Sequence, residues 1–158
     1  MKLKDIAKKK RKQWLKLGGM IATTIVQDAD KGISQDPDGK KFPPYKKSYA
    51  EKKKIGKAGL KGPSSDRQIN PPNLRLSGSM LNSIKAQRPT TESVEIFYRD
   101  GLKVLGNRNP PAKLKKAKRN ILGLNNKNIE HVANFIEENL NDNIKKFNKK
   151  DLIIDINV

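Results

Sequence analysis

Residues 125–148, NNKNIEHVANFIEENLNDNIKKFN, carry the longest apolar stripe in the chain. Ile129, Val132, Ala133, Ile136, Leu140, Ile144 and Phe147 recur at spacings of three and four, which places them on one face of a helix of about five turns. Asn125 or Asn126 supplies the polar side chain that caps its first turn. Glu130, Glu137, Glu138 and Asp142 come early on the outer face and Lys145 and Lys146 late, the order that the helix dipole favours.

Working outward, residues 5–29 give a second helix, with Trp14, Leu17, Ile21 and Ile25 on one face. Gly18 and Gly19 weaken its middle by about 1 kcal/mol each relative to alanine, so a kink is allowed there. Residues 91–99 alternate, with Val94, Ile96 and Tyr98 on one side and Ser93, Glu95 and Phe97 on the other, as in a half-buried strand. Lys103, Val104 and Leu105 offer it a hairpin partner. Ser77 is placed to cap a short helix in which Met80, Leu81 and Ile84 share a face, and Leu76, Met80 and Leu81 are assigned to packing. Residues 152–158 alternate β-branched residues with Asp155 and Asn157 and read as a last strand closing the sheet.

Residues 30–75 have no such periodicity. Glycine, proline and serine are dense and lysine comes in runs such as Lys52-Lys53-Lys54. A stretch of this kind buries too little to fold alone, and reads as a long arm ordered by neighbours or as a mobile loop. Residues 106–120 read as a basic loop.

With 158 residues the chain has the length of a single domain, and 34% hydrophobic and 5% aromatic content limit it to a small core. Its formal charge is +19, from 35 Lys and Arg against 16 Asp and Glu. Solubility needs far less, so the excess predicts an anionic partner: duplex DNA first, an acidic protein ring second, an anionic membrane surface third. Residues 1–75 hold 20 of the basic and 7 of the acidic side chains, which makes that half the expected contact. The absence of cysteine excludes disulfides, thiolate metal sites and cysteine nucleophiles. His131, the single histidine, makes no multi-histidine metal centre. No apolar run approaches the roughly 20 residues that span a bilayer. The basic start followed by residues 14–25 lacks the pattern of a cleaved leader, so synthesis in the cytoplasm without a targeting segment is expected.

Asp36-Pro37-Asp38-Gly39 has the alternate carboxylates and glycine of a calcium loop, but Lys47 stands where a bidentate glutamate is required. A turn stabilised by aspartate side chains and Gly39 is the expected reading, with no metal. The basic clusters are Lys8-Lys9-Lys10-Arg11-Lys12, Lys52-Lys53-Lys54, and Lys113, Lys115, Lys116, Lys118 and Arg119. They are either solvated faces or contacts to phosphates. Aromatics that would stack on bases are scarce near them, which favours backbone contact over single-strand recognition. His131 flanks the apolar stripe as a packing or surface residue. Glu137 and Glu138 are adjacent on a helix and point apart, and no Ser-His-Asp arrangement is discernible, so neither an enzyme nor a cofactor is expected. Trp14 serves either the core or an interface.

Four pieces then stand in order: Asp36-Pro37-Asp38-Gly39; Phe42-Pro43-Pro44-Tyr45; Leu74-Arg75-Leu76-Ser77-Gly78-Ser79-Met80-Leu81-Asn82-Ser83-Ile84; and Arg119-Asn120-Ile121-Leu122-Gly123-Leu124. Together they resemble the virion-morphogenesis or tail-completion proteins of tailed bacteriophages, which build the joint between a DNA-filled head and its tail. The resemblance covers roughly residues 5–148. Phe42 stands where the family usually carries tryptophan, and residues 99–118 lack the family's usual histidine and glycine. It implies an α+β domain, two long amphipathic helices packed on a small, mainly antiparallel sheet, with residues 30–75 as an irregular basic arm.

The resemblance further implies a non-enzymatic ring of identical subunits in the virion, contacting neighbouring connector and tail-tube proteins and surrounding duplex DNA. Lys113, Lys115, Lys116 and Lys118, then Lys8, Lys9, Lys10, Arg11 and Lys12, are the expected DNA-proximal residues. Phe42, Tyr45 and Tyr49 are the expected contacts of the arm with neighbours. The rival expectation is a free, non-specific nucleic-acid-binding module, ribosome-associated or nucleoid-like, in which the charge itself is the function.

Overall fold

The computed structural model describes residues 3–57, 66–75, 79–90, 92–99 and 118–139, with side chains for those from 10 to 138. Helix α1, Leu3–Asp30, is 28 residues long and runs unbroken through both glycines. Leu17, Ile21, Ala22, Ile25 and Ala29 form its buried stripe, and Trp14 packs half-buried against the same core. Gly18 explains why the helix tolerates a poor helix former. A Cβ there would stand 2.7 Å from Ala86 Cβ and 2.8 Å from Val94 Cγ2, so the missing side chain is what lets a hairpin lie on the helix. Nothing lies within 4 Å of a Cβ built at Gly19.

That hairpin joins β1, Ile84–Gln87, to β2, Glu95–Tyr98, antiparallel, with Ile84 opposite Tyr98 and Gln87 opposite Glu95. Ile96 and Tyr98 are buried while Phe97 faces out, as the alternation predicts. One expectation changes. Ile84 belongs to β1 and not to the preceding helix, because that helix, α3, spans only Ser79–Asn82. Among the described residues, β2 pairs with β1; residues 103–105 lie outside them. Met80 and Leu81 of α3 are buried, as expected, while Leu76 and Ser77 lie outside the described residues.

Between α1 and the hairpin the chain folds back onto the body. Helix α2, Lys47–Lys54, stands where the sequence suggests an irregular arm. Gly39, at φ +58°, closes the Asp36 turn with its N–H on Asp36 O at 2.8 Å, and Ile33 bridges Lys41 beyond it. Phe42 is buried in the core, corrected here from an arm contact to a residue its own chain uses up. Arg75 clasps the end of α1 through both oxygens of Asp30, at 2.5 and 2.9 Å, and Gln68 Nε2 donates to Asp30 O at 3.0 Å. Residues 66–75 are thereby tied to α1.

Helix α4, Asn126–Asn139, packs on α1 through Val132, Ala133 and Ile136. Asn125 is its cap: Asn125 Oδ1 accepts from Asn128 N at 3.0 Å. Leu140, Ile144, Phe147 and the tail lie outside the described residues. The architecture is α+β, with α1 in contact with both the hairpin and α4 and one apolar core shared by all three with residues 121–124.

Candidate functional site: a buried cationic cluster beneath a basic helix

Helix α2 has no apolar stripe to hold it down. Its inward positions are Tyr49, Ala50 and Lys53, and Lys53 is 0% exposed. The Lys53 ammonium donates to Asn73 Oδ1 at 2.5 Å, lies 3.5 Å from Tyr45 Oη and 3.9 Å from Asp66 Oδ1, and sits 5.1 Å from the centre of the Tyr45 ring. Tyr45 Oη donates to the backbone carbonyl of Asn73, and Asn73 Nδ2 donates to Asp66 Oδ2 at 2.8 Å. Arg119, 9% exposed, also lies against Tyr45, with its guanidinium 4.8 Å from the ring centre. Its Nη2 donates to the carbonyls of Pro43, at 2.9 Å, and Pro44, at 3.3 Å, while Nε is buried without a partner. The Tyr49 ring meets that of Tyr45 at a tilt of 54°, with ring centres 5.0 Å apart.

Burial lowers the Lys53 pKa below that of a free lysine; Asp66 opposes this and Arg119 adds to it. Burial also lowers Arg119, against the two tyrosines. Tyr45 is pushed up to about 12, by burial first and Tyr49 second, with Arg119 opposing. These are the marks of a desolvated cationic fastening. One of the two cations, Lys53, has a nearby carboxylate in Asp66, Arg119 has backbone carbonyls instead, and both lie against the Tyr45 ring.

A second polar network lies alongside. Asp28 Oδ2 accepts from Gln35 Nε2 at 2.9 Å, Asn128 Nδ2 at 2.6 Å and Asn125 Nδ2 at 3.3 Å. Asp36 accepts from Ser34 Oγ at 2.6 Å and Asn120 Nδ2 at 2.9 Å, and Gln35 N donates to Asn120 O at 2.8 Å. The end of α1, the Asp36 turn, the Asn120 segment and the start of α4 are knitted into one unit.

Of the residues singled out by sequence, Lys10, Arg11 and Lys12 are exposed on α1; Lys8 and Lys9 belong to the same helix with their side chains outside the description. Lys118 is exposed beside the buried Arg119, and Lys113, Lys115 and Lys116 lie outside the described residues. Tyr45 and Tyr49 pack, half-buried, within the cationic cluster of their own chain. His131, Glu137 and Glu138 are exposed. Sequence reasoning missed the roles of Lys53, Asp66, Asn73 and Arg119. The one signal for them was that Tyr45, Tyr49 and Lys53 recur at a spacing of four, which places them along one side of the chain as it enters and forms α2.

Among the described residues no group of three or more His, Asp or Glu is placed to hold a metal ion, and no helix is long and apolar enough to cross a membrane. No family model, no curated protein and no solved structure matches the chain.

Proposed function

We propose that this protein is a structural, non-enzymatic component of a tailed-phage virion at the head-to-tail joint: a tail-completion, terminator or neck subunit, assembled as a ring around the DNA channel. One observation carries the reading. The pieces that bear the resemblance are far apart in sequence and meet in space. Asn120 bonds the Asp36 turn, Arg119 holds the carbonyls of Pro43 and Pro44, and Met80 and Leu81 share a core with Phe42, Leu122 and Leu124. A common framework requires such convergence, whereas scattered chance matches do not.

In this reading the subunits join head-to-tail around an axis, between connector and tail-tube proteins, after synthesis in the host cytoplasm. The net charge of +19 offsets the phosphates of DNA passing or waiting in the channel. Gold-labelled antibody on purified particles tests it. Label confined to the junction of head and tail is the expected result. Absence from particles, with the protein recovered on cellular nucleic acid, refutes it in favour of a free binding module.

A further inference from the structure

Helix α2 presents two surfaces of opposite use. Lys53, Tyr49 and Ala50 turn inward, while Lys47, Ser48, Glu51, Lys52, Lys54 and, at its end, Ile55 are exposed, flanked by exposed Lys46 and Lys57. Glu51 is the one acid in residues 46–57. We propose that this outer face is a contact surface for the phosphate backbone of duplex DNA, held rigid by the cluster beneath it.

Three observations carry the proposal. The first is the anchoring. A helix without an apolar stripe has little reason to dock, yet here Lys53 is wholly buried and tied to Asn73, and the chain entering the helix is gripped by Arg119. That anchoring fixes the position of the outer lysines. The second is spacing. Lys46 and Lys47 at one end and Lys54 at the other are separated by about 10 Å along the axis at 1.5 Å per residue. With each strand adding a phosphate roughly every 3.4 Å along the duplex axis, that span laid parallel to the axis covers the rise of about three of them. The third is composition. Lysine is depleted from the cores of protein interfaces, where the partner would have to desolvate it, whereas a phosphate backbone takes it as an ordinary counterion. Arg119 also brings Lys118 to the Pro43–Pro44 end of the same surface, joining stretches far apart in sequence.

The surface deepens the joint reading and rests on it for the nature of the nucleic acid. The test uses the full chain and a random-sequence duplex of about three helical turns, with affinity followed against salt. The combined variant K46Q/K47Q/K52Q/K54Q changes exposed positions only, and circular dichroism verifies its fold. Its affinity is expected to fall at least tenfold, and the slope of log K against log salt to flatten by about 3, at roughly 0.9 for each phosphate no longer neutralised. The proposal is overturned if affinity and slope stay within twofold of wild type. It is equally overturned if K10Q/R11Q/K12Q removes the whole slope, or if wild type binds polyglutamate as tightly as duplex. Particle labelling separates this from the joint reading. Junction label with unchanged duplex affinity in the α2 variant sinks the surface alone, and reduced affinity with unlabelled particles sinks the joint reading alone.

Discussion

Two polar networks, each partly buried, lie side by side in this molecule and are built on opposite principles. Around Asp28 and Asp36, carboxylates meet amides and a hydroxyl over short distances, and each donor named has an acceptor. Around Lys53 and Arg119, two cations lean on the Tyr45 ring with Asp66 beside Lys53 alone, and one guanidinium N–H is left unpaired. The first joins the ends of long elements and specifies how they meet. The second fastens a short basic helix and bears a desolvation cost to do so. A network that defines the fold is expected to be sensitive to the loss of any member, and one that holds an appendage to be more forgiving.

The largest effect is therefore expected at Asp28. D28A leaves the Gln35 amide without its acceptor and takes one of two acceptors from each of the Asn125 and Asn128 amides, and chemical denaturation should show a loss on the order of 3 kcal/mol. K53M comes next, at about 1–2 kcal/mol, because removing a desolvated ammonium partly offsets the loss of its bond to Asn73. A K53M cost above that of D28A would invert the comparison.

Alkaline pH sharpens it further. Tyr45 keeps its proton in the folded chain up to about 12, whereas the unfolded chain releases it near 10.0. The folded state therefore binds more protons between those values, so the stability due to Tyr45 is complete below about pH 10 and declines as pH rises towards about 12. Thermal unfolding across this window should fall more steeply for wild type than for Y45F; equal slopes would remove Tyr45 from the buried cluster. The smallest change is expected for R119K, below about 1 kcal/mol. Lysine keeps a donor for the Pro43 and Pro44 carbonyls and takes away the unpaired Nε, which offsets most of the loss of the planar group against the Tyr45 ring.

The parts of the fold legible in the sequence are those where apolar spacing and burial agree. The α1 stripe, the Asn125 cap, the Ile96 and Tyr98 alternation and the Asp36 turn all follow from residues whose side chains do what their type suggests. Helix α2 is hidden because its buried position is a lysine, so its pattern reads as a solvated run. Strand β1 is hidden because four residues, with Lys85 and Gln87 facing outward or half-buried, are too few to establish a period. The cationic cluster is out of reach for another reason: Lys53, Asp66, Asn73 and Arg119 come from three separate stretches, and only the folded chain brings them together. The motif pieces are visible one by one, while their convergence is not.

The central claim is the place of this protein in a particle, and its removal tests that most directly. Electron microscopy of particles assembled without the protein should show DNA-filled or emptied heads and separate, complete tails, with joined particles restored when it is supplied. Normal joined particles in its absence would contradict the account.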